Sequence, residues 1–85
     1  MDISRNEQRI LHLLAQGGSI TPVKDRRGRI IGAECHSREG WRLSGFDLEL
    51  FRKLKRRHSI ASAGGQPYRI TRRGLELVRS QPDNR

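Results

Sequence analysis

A single cysteine, Cys35, stands in the 85 residues, so no disulfide can form within the chain. That scarcity fits a reducing, cytosolic setting. No apolar run approaches the ~20 residues that a membrane-spanning helix needs. The opening Met-Asp-Ile-Ser-Arg-Asn-Glu-Gln is too polar to be the core of a signal peptide. A helix-capping motif begins almost at once, so the expectation is that the whole chain is the mature product. Aromatic residues are few (Trp41, Phe46, Phe51 and Tyr68), and hydrophobic residues make up only 33% of the chain. At this length the expectation is one domain with a thin core, burying about 60–65% of its unfolded surface. The apolar residues recur periodically, which argues against disorder. Repeats, linkers and low-complexity tracts are missing.

Signatures of catalysis and metal binding are missing as well. The adjacent pair Cys35-His36 would point to opposite faces of a strand, and with His12 and His58 it does not make the paired spacing of a zinc site. The expectation is a buried thiol beside an exposed imidazole. His36 lies next to Ser37, but no nucleophile elbow accompanies them. The glycines at 17–18, 28, 32 and 64–65 read as turn and cap glycines, not as a phosphate-binding loop. The reading is therefore a non-enzymatic protein without metal or cofactor.

Acidic residues are also in short supply. Nine Asp and Glu face 18 Lys and Arg, for a net charge of +9. Such a chain draws anionic partners to its surface: nucleic acid, an acidic protein surface or anionic lipid. Evenly spread arginine would only solubilise a small domain. Here five of the six residues from Arg52 to Arg57 are basic, which points to a binding face.

Ser4 and Glu7 form a capping box that opens a helix over residues 4–16, with Ile10, Leu11 and Leu14 as its apolar stripe. Gly17-Gly18 ends it. Residues 19–24 and 29–36 read as two strands joined by the hairpin turn Asp25-Arg26-Arg27-Gly28, with Pro22 marking an edge strand. Ser37-Arg38-Glu39-Gly40 is a further turn, and Trp41-Arg42-Leu43 a short extended segment or bridge. A second helix starts at Ser44 or Gly45, with Asp47 in its first turn. Leu48, Leu50, Phe51 and Leu54 share one half of its wheel. Arg52, Lys53, Arg56 and Arg57 share the other, with Lys55 at the border, where its stem can pack and its charge reach water. Residues 59–63 and 66–70 make a wing around Gly64-Gly65. Thr71 caps a last helix through about Ser80, with Gly74 close to the wing and Leu75 and Val78 turned inward. Residues 81–85 form a short polar tail.

The pattern is a small α+β domain, winged-helix-like, in the order helix, β-hairpin, basic helix, β-wing, short helix. Candidate contacts to nucleic acid or a protein partner are Arg52, Lys53, Arg56 and Arg57, with Gln66 and Arg69 from the wing. Each helix cation could neutralise a phosphate, and an Arg could read guanine. A hairpin replaces the helix that usually precedes a recognition helix, so binding through a basic surface is better supported than base readout. The alternative is a solvated face with one Glu-Arg pair. Trp41 is expected as a partly buried lid on the core, with an exposed partner-contact anchor as the other reading.

Four stretches carry a family likeness: Leu14–Gly18 (Leu-Ala-Gln-Gly-Gly), Glu34–Gly40 (Glu-Cys-His-Ser-Arg-Glu-Gly), Phe51–Lys55 (Phe-Arg-Lys-Leu-Lys) and Gly65–Ile70 (Gly-Gln-Pro-Tyr-Arg-Ile). With the opening Ser-Arg-x-Glu-Gln and the closing Asp-Asn-Arg, the chain resembles the YjhX family of small bacterial proteins over essentially its whole length. The resemblance implies a toxin of a toxin-antitoxin pair that binds and inhibits DNA topoisomerase I and is neutralised by an acetyltransferase-like antitoxin. No family motif assigns contact residues. The second reading from the residues themselves is a DNA-binding module, such as a regulator of its own operon. The third is an adaptor domain.

Overall fold

A computed structural model describes residues 3–79. Helix α1 (Arg5–Ala15) is followed by strands β1 (Ser19–Lys24) and β2 (Ile30–His36), helix α2 (Leu48–Arg56), strands β3 (Ile60–Ala61) and β4 (Arg69–Ile70), and helix α3 (Arg72–Arg79). The architecture is α+β, with three helices and two small antiparallel sheets among the described residues. The end of the last helix expected at Ser80, and the tail at 81–85, lie outside the described residues.

Local chemistry places most of the boundaries. The Ser4 side chain accepts from the Glu7 amide at 3.1 Å while the Glu7 carboxylate accepts from the Ser4 amide at 3.2 Å, which completes the capping box. α1 ends in a Schellman motif, with Gly17 at φ 105° and the Gly18 amide donating to the Leu13 carbonyl. In the β1–β2 turn, Asp25 Oδ1 accepts from the amides of Arg27 and Arg29, both at 2.9 Å, and Gly28 takes φ 79°. The β3–β4 connection turns on Gly64 and Gly65, both at positive φ, with the Gln66 amide bonded to the Ala63 carbonyl.

The expected bounds shift in three places. α2 begins at Leu48, not at Ser44 or Gly45, because Gly45 at φ 81° turns the chain out of helical geometry. Asp47 is the N-cap, accepting from the Leu50 amide at 2.9 Å. β3 and β4, expected over 59–63 and 66–70, are only two residues each, since the pairs Ile60–Ile70 and Ala61–Arg69 exhaust the ladder. In α3 the buried residues are Gly74, Leu77 and Val78, while Leu75 is only half-buried. The stripe runs from Gly74 because that glycine is the contact point. A Cβ there would lie 2.5 Å from the Ser59 carbonyl oxygen and 2.6 Å from Ile70 Cγ1.

Ile10, Leu11 and Leu14 of α1, Ile20 of β1, Cys35 of β2, Phe51 and Leu54 of α2, and Leu77 and Val78 of α3 fill one core. The two sheets meet at one bridge, where Ile20 and Tyr68 exchange amide-to-carbonyl bonds of 3.0 and 2.7 Å. β1 is therefore held on both sides, by β2 and by the start of β4. β2 has only a short neighbour on its outer side, the bridge from His36 to Arg42. Among the described residues no helix is long and apolar enough to cross a membrane.

Candidate functional site

The basic run does not stay one uniform stripe when α2 folds. Leu50, Phe51 and Leu54 sink into the core and fix the rotation of the helix. Lys55 then falls at the border as expected, with Nζ 5.6 Å from the centroids of both Phe51 and Tyr68, which pack edge to face at 5.1 Å. Arg52, Lys53 and Arg56 stay exposed.

Arg57 departs from the expected outward face. Its Nε donates to Glu7 Oε2, and its Nη2 lies 3.5 Å from Oε1. Glu7 is only 2% exposed, so this is the counter-charge of a buried carboxylate. Burial alone would push the Glu7 carboxyl upward. Hydrogen bonds from Arg57 and Ser4, with the charge of Arg57, outweigh it and hold the carboxyl below its ordinary value.

At the end of α2 the chain closes a second Schellman motif, with the His58 amide on the Lys55 carbonyl and the Ser59 amide on that of Leu54. The residue in the left-handed position is His58, at φ 58°, where glycine would be unstrained. Ser59 is fully buried and satisfied: Oγ donates to the Leu54 carbonyl at 2.8 Å, and its own carbonyl accepts from the Thr71 amide. Thr71 Oγ1 donates to the His58 carbonyl at 2.7 Å and accepts from the Gly74 amide, so one side chain joins the two helix ends.

That junction makes a concavity of about 510 Å³ lined by Lys53, Arg56, Arg57, His58 and Arg73, with Glu7 as its carboxylate. Because Arg57 covers Glu7, the concavity is an anion-attracting cleft that holds Lys53, Arg56 and Arg73. Arg73 Nη1 also lies 3.9 Å from Glu76 across one helical turn. The cleft offers charge and hydrogen-bond donors, with the His58 imidazole among them, an arrangement that can hold an anion.

Of the six candidate contacts, Lys53, Arg56 and Arg57 meet in the cleft, and Arg52 sits exposed one turn before Arg56 on the same helix. Gln66 sits apart, in the β3–β4 turn, where its carbonyl accepts from Ser62 Oγ at 2.6 Å. Arg69 reaches back to the end of α1, its Nη1 donating to the Gly17 carbonyl at 3.0 Å. His58 and Arg73 are cleft residues that the sequence did not single out. The signal for Arg73 was there in Gly74, which lets the first turn of α3 seat on Ser59.

Two other expectations concern the far side of the molecule. Trp41 is 76% exposed and is no lid on the core. The turn at 37–41 holds it outward, with the Ser37 amide on the Trp41 carbonyl and the Trp41 amide on Ser37 Oγ. Cys35 is fully buried, and burial pushes its thiol up to about 11. Beside it, His36 is half-buried, 4.0 Å from Glu34.

The family model described as "Putative toxin of bacterial toxin-antitoxin pair" (YjhX toxin) matches residues 1–85. A UPF0386 protein of Hyphomonas neptunium is 71% identical over 99% of both chains, and one of Chelativorans sp. is 67% identical over the full length of both. A UPF0386 protein of Rhizobium etli is 62% identical, again over both full lengths. No solved structure matches the chain.

Proposed function

The chain belongs to the YjhX toxin family, and on that premise we propose that it is a toxin acting by binding, without catalysis, in the cytoplasm. Its target is DNA topoisomerase I, as the family resemblance implies, and an acetyltransferase-like antitoxin neutralises it. The observation that carries the binding mode is the cleft that gathers the cations Lys53, Arg56 and Arg73. Such a surface docks on an acidic patch of the enzyme or competes for the channel that holds single-stranded DNA. The wing tip, Gly64-Gly65-Gln66, carries no cation, which favours a protein target over a duplex.

A second reading, duplex binding through α2 in a winged-helix arrangement, is favoured by one feature. The Ile20–Tyr68 bridge ties β1 to the wing, as a three-stranded wing would require.

Plasmid relaxation by purified topoisomerase I with increasing protein, paired with a DNA-free pull-down, separates the two. The expected result is inhibition together with a DNA-free complex, both reduced at least tenfold by Arg52→Glu/Lys53→Glu/Arg56→Glu. Arg57 is left out of that set because its loss would strand Glu7. A salt-steep shift of plasmid mobility without a complex would move the protein to the DNA-binding reading.

A further inference from the structure

The register of the β1–β2 hairpin leaves one residue over. Val23 pairs with Gly32 and Lys24 with Ile30, so Ile31 has no partner and forms a β-bulge. The bulge holds Ile31 out at 57% exposure, beside Val23 at 39%. Both line a groove of about 470 Å³ that continues through Ala33, Leu43 and Phe46, with Glu34 and Arg42, 3.6 Å apart, among its polar residues. That volume lies within the ~300–1,000 Å³ of sites that seat a specific ligand.

The main chain along this groove is also open to a partner. On the outer side of β2, the Cys35 carbonyl accepts from the Leu43 amide and the Ser37 amide donates to the Trp41 carbonyl, both at 2.8 Å. Strand alternation turns the amide and carbonyl of Ala33 to the same side. The short segment at 41–43 stops pairing before it reaches them. Trp41, the most exposed large apolar side chain described, stands next to Arg42 of the groove. An apolar groove, a free strand edge and an exposed Trp together are the elements of strand-addition docking.

We infer that this groove is the antitoxin's docking site, and that it takes an extended segment of a protein antitoxin whose apolar side chains alternate with acidic ones. The inference rests on the toxin-antitoxin reading above. The apolar side chains would fill the space between Ile31 and Phe46. The acidic ones would meet Arg9, whose guanidinium lies beside Gly45 of the groove, and compete with Glu34 for Arg42. A second copy of this chain fits poorly, because it would bring a net +9 against +9. An RNA antitoxin would be drawn to the α2–α3 cleft instead, where Lys53, Arg56 and Arg73 gather, whereas the groove's own Arg42 is paired with Glu34.

The test is titration of the antitoxin, purified after co-expression with this chain, against the full-length protein and its Ile31→Asp and Trp41→Ala variants. Circular dichroism confirms that each variant is folded; both side chains are exposed, so both variants should fold. Loss of a central anchor predicts at least about thirtyfold weaker binding in each variant. The same variants should inhibit the toxin's target as well as the wild type does and escape rescue by the antitoxin. Wild-type affinity in both variants would overturn the groove assignment and leave the toxin-antitoxin reading standing. Failure of the wild-type chain to bind the antitoxin would sink both. A nuclease-sensitive complex lost on reversing the α2 charges would put an RNA on the cleft instead. A wild-type homodimer in sedimentation that Ile31→Asp dissociates would give the groove to a second copy.

Discussion

The α2 side of the molecule and the β1–β2 hairpin solve opposite problems. On α2, Leu50, Phe51 and Leu54 are buried and the exposed positions are charged. The strain sits in the backbone at His58, and the buried carboxylate of Glu7 depends on Arg57. On the hairpin, Asp25 and Gly28 satisfy the turn locally, without strain, yet Val23, Ile31 and Trp41 are left in water. Folding accounts for the apolar side chains of α2 and for the turn of the hairpin. The residues that folding leaves unexplained are the outward cations around one cleft and the outward apolar groups along another groove. Two such sites suit the toxin and antitoxin roles proposed above.

Breaking the α2 side should cost most. Arg57→Ala leaves the Glu7 carboxylate buried without its counter-charge, and urea unfolding should show a loss of about 3–5 kcal/mol. The pH dependence carries the sign of the effect. Glu7 has a lowered value in the folded chain, so its stabilisation is full above its unfolded value and lost as pH falls through the folded one. In Arg57→Ala burial dominates and the folded value rises. The variant's deficit against the wild type should therefore shrink on acidification from pH 7 towards pH 4. A deficit that grew would show that Arg57 is not the group holding Glu7 down.

Gly74→Ala comes next. The added Cβ meets the Ser59 carbonyl at 2.5 Å, so α3 must back away from the wing. A loss of about 1–3 kcal/mol is expected, together with weaker anion binding at the cleft, because Arg73 moves with the helix. His58→Gly should raise stability by about 0.5–1 kcal/mol by relieving the left-handed position. No gain would mean that His58 makes compensating contacts.

The smallest effect on stability sharpens the contrast best. Trp41→Ala should change unfolding by less than about 0.5 kcal/mol, as an exposed residue does. A lid on the core would lose about 3–5 kcal/mol in the same experiment.

Local chemistry was legible in the sequence. Ser4 with Glu7, Asp25 with Gly28, and Gly64-Gly65 declare a cap and two hairpin turns within a few residues each. Gly74 declared a close approach, though not that Arg73 would ride with it. What stayed hidden spans long separations or runs against type. The Glu7–Arg57 pair joins residues fifty positions apart, so Arg57 read as one more cation of its run. The end of α2 was masked because histidine occupies the place that glycine marks at the end of α1. Trp41 read as buried because large aromatics usually are. A single unmatched residue in the β2 register, which no periodicity displays, exposes Ile31.

The pairing of Glu7 with Arg57 also sets a clock on the nascent chain. With synthesis at roughly 5–20 residues per second, the carboxylate waits about 3–10 s for its guanidinium, fifty residues behind it. Until then α1 cannot bury its polar flank, and the surface it will share with α2 and α3 does not exist. The fold closes only after residue 57 of 85 has been made, so a chain interrupted before that point carries neither the assembled cleft nor a finished core.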